Sequence, residues 1–189
     1  LEARRTEKDF MLRRDESYAK RHSELSAAID RDLEKMKSMA RSAGLGSIPE
    51  KVDVIQRGFA NYVKNFASLA QSETKLGLNE KLGLSGSLRA AVHDVEARLK
   101  EIDDPRLTSS MLMLRRHEKD FMLRRDAKYV DELKKTAAEF SKSLAGASIE
   151  PAIKADIAKK LEKYQADFSA WAAGALEVAA ATPERFRNL

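Results

Sequence analysis

Arg4-Arg5-Thr6-Glu7-Lys8-Asp9-Phe10-Met11-Leu12-Arg13-Arg14-Asp15, with Tyr18 just beyond, returns as Arg115-Arg116-His117-Glu118-Lys119-Asp120-Phe121-Met122-Leu123-Arg124-Arg125-Asp126 with Tyr129 beyond. Twelve of the fifteen positions from Arg4 to Tyr18 agree at an offset of 111. A second echo pairs Tyr62, Phe66 and Leu69-Ala70 with Tyr164, Phe168 and Trp171-Ala172 at an offset of 102. Self-similarity on this scale means a duplicated structural unit, and the second copy is nine residues shorter between its landmarks.

Around the repeated stretch, helical periodicity runs without Gly or Pro from Leu1 to about Ala43 and from about Arg106 to Leu144. That predicts two helices of about 60 Å at 1.5 Å per residue. Gly44-Leu45-Gly46-Ser47-Ile48-Pro49 stops the first, and Ser47 ahead of Pro49 and Glu50 reads as the N-cap of a helix reaching about Lys75. Ala145 to Pro151 plays the same part in the second copy, opening a helix to about Ala181 that Thr182-Pro183 ends. Between the copies, Leu76 to Gly86 is too apolar for a flexible linker. A shorter helix from about Ser87 to Ile102 follows and turns through Asp103-Asp104-Pro105 into the second long helix.

These lengths predict an all-α protein: two four-helix bundles stacked end to end on a shared pair of long helices, the lower one a helix short. The upper module takes about 22–76 and 133–181, and the lower about 1–21, 84–132 and 182–189.

Composition agrees with this class and excludes others. Charged residues make up 34%, above the roughly 25% of an average domain, while 43% hydrophobic residues argue against disorder. The absence of Cys rules out disulfides, thiolate metal sites and cysteine nucleophiles. His22, His93 and His117 lack paired ligand spacing, and there is no glycine-rich phosphate loop or nucleophile elbow, so no metal, cofactor or catalytic site is expected. A net charge of +5 raises nucleic acid as a partner, but basic and acidic residues alternate and the aromatics sit at core spacing, so none is expected. No run of 18 apolar residues spans a bilayer, and no signal peptide is present. The chain opens on LEARRTEKDF, already in helical register, and reads as a piece of a longer protein whose flanks leave room for membrane spans.

On the second long helix, Leu107, Met111, Leu114, Glu118, Phe121, Arg125 and Tyr129, then Leu133, Ala137, Phe140 and Leu144, form one inward face. Glu118 and Arg125 interrupt it with charge, and Glu7 and Arg14 do the same beside Phe10 in the first copy. Two readings stand. The charges pair along the helix, Arg4 with Glu7 and Arg115 with Glu118, and fix register; or the arginines converge on an anion whose carboxylate suits the guanidinium fork. Helical rotation places Arg4 and Arg115 nearer the inward face than Arg5 and Arg116. Tyr62, Phe66, Tyr164, Phe168 and Trp171 read as core of the upper bundle, and Met36 and Met39 as packing that continues Leu25, Ile29 and Leu33.

RRTEKDFMLRRD at Arg4 to Asp15, RRHEKDFMLRRD at Arg115 to Asp126 and GLSGSLRAAVHDVE at Gly83 to Glu96 carry a resemblance. With the stacked-bundle layout, the chain resembles the helical bimodular sensor domain of bacterial transmembrane receptors. The resemblance implies a single periplasmic sensor domain held between two transmembrane helices of an inner-membrane protein. Chemoreceptors, and less often sensor histidine kinases, carry such domains. It further implies a small organic acid as ligand, no catalysis by the domain itself, a homodimer in the intact receptor and signalling by a small helix displacement. The residues it points to are Arg4, Arg14, Arg115 and Arg125, with Arg89 and His93 on the short helix as additions. The alternative from another class is a structural or partner-binding helical bundle with no small ligand.

Overall fold

The computed structural model describes residues 1–187, with side chains through Ala180. Among the described residues it is all-helical, with α1 (Glu2–Arg13), α2 (Glu16–Ser42), α3 (Ile48–Leu76), α4 (Gly83–Ile102), α5 (Pro105–Arg124), α6 (Lys128–Gly146) and α7 (Pro151–Arg187). The helices fall into two compact units, residues 1–74 with 180–189 and residues 75–179. Each copy of the repeat lies in its own unit, whereas the sequence reading drew its modules across both copies. The part of the lower module placed at 182–189 lies outside the residues whose side chains are described.

The two uninterrupted long helices do not form. Each is broken inside the repeated stretch, at Arg14-Asp15 and at the equivalent Arg125-Asp126. Arg14 adopts left-handed dihedrals (φ 51°, ψ 46°) and its N–H donates to the Phe10 carbonyl at 2.8 Å. Asp15 then caps α2 by accepting from the Ser17 N–H at 2.8 Å. Arg125 repeats the cap (φ 54°, 2.8 Å to the Phe121 carbonyl), and Asp126 accepts from the Lys128 N–H at 3.0 Å. A left-handed conformation costs an ordinary L-residue about 1–2 kcal/mol. Burial opposes that cost, because the corner folds α1 back on α2 and α5 back on α6. Phe10 and Phe121 are thereby left 1% and 0% exposed.

In the first unit the fold-back is visible at α3. Glu7 of α1 and His22 of α2 both reach Tyr62. Phe10 and His22 both lie on Phe66, with ring centroids 5.7 and 4.1 Å away. Tyr62 and Phe66 thus form the floor beneath the repeated motif of their own copy, with Phe66 buried. Met36 and Met39 differ from expectation too: they are 44% and 63% exposed, beside Leu45 and Ile48 at the open end of the unit.

The second unit is more complete. Leu88, Val92 and Val95 of α4, Leu114 and Phe121 of α5, Leu133 and Phe140 of α6, and Ile157 and Phe168 of α7 share one core. The inward face predicted for α5 and α6 is buried as expected, except that Tyr129 is only half-buried and the corner removes Arg125 from it. At the Asp103-Asp104-Pro105 turn that the sequence indicated, Asp104 caps α5 by accepting from the N–H groups of Arg106 and Leu107, with Pro105 in the first turn. The stop expected at Thr182-Pro183 does not hold: helix α7 continues across it to Arg187, although an interior proline removes one backbone hydrogen bond and crowds the carbonyl four residues earlier.

The apolar segment before α4 is a tight loop. Gly77 sits at φ +111°, where an added Cβ would lie 2.1 Å from the Leu82 carbonyl oxygen, a backbone atom that has little room to yield. Gly77→Ala is expected to destabilise the second unit by about 2–3 kcal/mol. Urea unfolding followed by Trp171 fluorescence checks this, since the single Trp reports on that unit; an unchanged midpoint would refute the loop geometry.

Candidate functional site

Each copy builds a charge cluster from its own motif, and the two differ. In the second, Glu118 is 1% exposed on its side chain and accepts from Arg115 Nη1 at 2.7 and 2.6 Å. The Tyr164 hydroxyl donates to Glu118 at 3.0 Å, and Lys119 adds an ion pair at 3.2 Å. Arg115 has a second carboxylate, Glu96 of α4, at 3.5 Å, and His93 lies 3.4 Å from Glu96. Burial, then the adjoining Glu118 carboxylate, push the Tyr164 phenol far above its ordinary value, so it stays a donor.

In the first copy Tyr62 takes the place of Tyr164 and donates to Glu7 at 2.7 Å. Burial and the Glu7 hydrogen bond raise its pKa too. Arg4 is looser than Arg115: it stands 3.9 Å from Glu7, with 41% of its side chain exposed against 25% for Arg115. Its Nη1 is nevertheless buried and makes no hydrogen bond among the described residues. Arg4 thus lacks both the close contact of one guanidinium nitrogen with two carboxylate oxygens and the second carboxylate that hold Arg115.

The corner arginines take other partners. Arg14 donates to Glu73 at 2.6 Å. Ala175 occupies the position of Glu73 in the second copy, and there the Arg125 guanidinium lies 4.7 Å from the Trp171 ring centroid, within cation–π range. Neither joins Glu7 or Glu118 in an inward charge layer, because the left-handed residue carries each to the hairpin corner. Arg89 is exposed on α4. Of the six residues singled out from the sequence, the structure gathers Arg115 and His93 around Glu96, sets Arg4 beside Glu7, and places Arg14, Arg125 and Arg89 elsewhere.

The sequence reading missed a polar chain in the first unit. His22, 1% exposed, meets the Tyr62 hydroxyl through Nε2 at 2.9 Å, and Ser26 Oγ lies 3.4 Å from Nδ1. Since Tyr62 donates its proton to Glu7, its oxygen accepts from His22 Nε2–H, which leaves Nδ1 to accept from Ser26. The repeat held the signal: Leu133 and Ala137 stand where the first copy has His22 and Ser26.

Burial holds His22 below the usual imidazole value of 6.5, while the Glu7 carboxylate pulls it upward. Arg4 of α1, Tyr62 and Phe66 of α3 and Ser26 of α2 complete its surroundings. The unfolded chain takes up a proton that the folded chain resists. The stability His22 contributes is therefore complete above about pH 6.5 and declines as the pH falls below that value toward the depressed folded one. His22→Leu is expected to lose less stability between pH 7 and pH 5 than the native chain, measured by thermal unfolding; equal losses would assign the acid sensitivity elsewhere.

Among the described residues no group of three or more His, Asp or Glu is placed to hold a metal ion, and no helix is long and apolar enough to cross a membrane. No protein-family model matches the chain, and neither a curated protein nor a solved structure is significantly similar to it.

Proposed function

We propose that this chain is the extracytoplasmic ligand-sensing domain of a bacterial transmembrane receptor and that it takes the carboxylate of a small organic acid at Arg4. The observation that carries the reading is the contrast between the two copies. Arg115 is held by two carboxylates, Glu118 and Glu96, whereas Arg4 has only Glu7, 3.9 Å from a buried Nη1 that makes no hydrogen bond among the described residues. A buried guanidinium N–H left unpaired costs more than an average hydrogen bond contributes, so an incoming carboxylate recovers that cost while using the fork geometry. Arg4 lies over the Tyr62 ring, 6.0 Å from its centroid, and Tyr62 joins α1 to α3 through Glu7. A carboxylate bound at Arg4 favours whichever position of α1 it fits better, and shifts the equilibrium only by that difference in affinity. The receptor's output, chemotactic or kinase, lies outside this chain.

Thermal unfolding against mono-, di- and tricarboxylates tests the reading, since a ligand at a hundred times its Kd adds about 2.7 kcal/mol. The expected result is a selective rise in midpoint with one acid, lost in Arg4→Ala and kept in Arg115→Lys. No rise with any acid, or a rise that survives Arg4→Ala, would overturn it. A scaffold reading is favoured for the second copy alone, where Arg115 is already closed by its two carboxylates.

A further inference from the structure

A second basic cluster lies between α1 and α2 and does not include Arg4. Glu2, Arg5, Thr6, Asp9 and Arg13 of α1 and Tyr18 and Arg21 of α2 line an open cleft of about 370 Å³, within the range of small-molecule sites. Asp9 ties the two α1 arginines together, at 3.9 Å from Arg5 and 3.4 Å from Arg13. The Arg13 guanidinium lies 5.9 Å from the Tyr18 ring centroid. Arg21, from the facing helix, makes no ion pair among the described residues.

The second copy supplies an internal control. It keeps the same frame: Arg116 and Arg124 flank Asp120 at 3.8 and 3.6 Å, and Arg124 lies 5.9 Å from the Tyr129 ring centroid. That frame is therefore part of the hairpin itself. The position of Arg21, however, holds Glu132, and the position of Glu2 holds Met113. Three arginines face two carboxylates in the first copy, against two and two in the second.

We infer that the cleft between α1 and α2 binds a small multivalent oxyanion, with Arg21 as the deciding residue. The excess charge comes from three guanidinium groups converging from two helices around a volume that admits such a ligand. Asp9 is shared between Arg5 and Arg13, Glu2 is the second carboxylate of the lining, and Arg21 is left to the ligand. The chemistry common to the ligand is a cluster of negative oxygens, supplied by a polycarboxylate or by a phosphate. This site is separate from the carboxylate at Arg4 and does not rest on it.

Isothermal titration of the intact chain with citrate and with pyrophosphate, at ionic strength matched with sodium chloride, tests the inference and distinguishes the two sources. The native chain is expected to bind one equivalent of at least one probe at this cleft. Arg21→Glu, which copies the second unit, should weaken that binding at least tenfold with the far-UV circular dichroism unchanged. Glu132→Arg, which copies the first unit, should add a second equivalent. Arg4→Ala should leave the pyrophosphate or citrate binding at Arg21 intact, so failure of one site is told apart from failure of the other. Binding of neither probe, equal binding by Arg21→Glu, or loss of binding in matched chloride would overturn the inference.

Discussion

Glu118→Ala is expected to destabilise the second unit by about 3–5 kcal/mol, the cost of removing one partner from a buried ion pair. Glu118 is 1% exposed and accepts from both Arg115 and the fully buried Tyr164. Its removal leaves the Tyr164 hydroxyl only the Leu114 carbonyl, at 3.4 Å, and leaves Arg115 with Glu96 alone. Glu118→Gln separates charge from hydrogen bonding: its amide oxygen still accepts from Tyr164, so it should lose clearly less than the alanine variant. Glu7→Ala should also lose less, because Arg4 is more exposed and more distant from Glu7 than Arg115 is from Glu118. Urea unfolding followed by circular dichroism and by Trp171 fluorescence gives all three values. Equal losses at Glu7 and Glu118 would contradict the asymmetry on which the reading of Arg4 rests.

The second large effect belongs to Phe121. Its ring stands edge-on to Phe168 (5.6 Å, 79°) and to Trp171 (5.9 Å, 77°) and is 0% exposed. Phe121→Ala should cost about 3–5 kcal/mol through lost burial and the cavity left behind. It should also change the Trp171 emission in the folded state, because an aromatic neighbour is removed. Phe10→Ala removes the matching ring from Phe66, with which it is paired at 5.7 Å and 87°, and should cost a similar amount without altering folded-state Trp171 emission. A loss below 1 kcal/mol at either phenylalanine would show that the fold-back is not what buries these rings.

Much of the helical pattern was legible because its signals are local. Pro105 behind Asp104, the glycine-bearing breaks near Gly44 and Gly146, and the apolar steps of α5 and α6 each act within a turn or two of chain. The hairpin corners were not legible, since Arg14-Asp15 and Arg125-Asp126 contain neither of the usual helix breakers. The choice there falls to tertiary burial, which a periodicity argument does not weigh. Glu7 and Glu118 could be read as charged interruptions of an apolar face because the face itself was clear. Their tyrosine partners, far away in sequence, could be named as buried but not as donors. The most informative signal lay in the mismatch between copies: Leu133 for His22, Glu132 for Arg21 and Ala175 for Glu73 mark where the first unit carries polar chemistry that the second does without.

Nothing between Leu1 and Ala43, or between Arg106 and Leu144, forbids a continuous helix. Returning Arg14 and Arg125 to right-handed dihedrals would open each jackknife into a rod of about 60 Å. Straightening recovers the roughly 1–2 kcal/mol held in each corner and gives up the aromatic floor that Phe10 and Phe121 rest on. The ring contacts of Phe10 with Phe66, and of Phe121 with Phe168 and Trp171, thus act as the catch that keeps each corner shut.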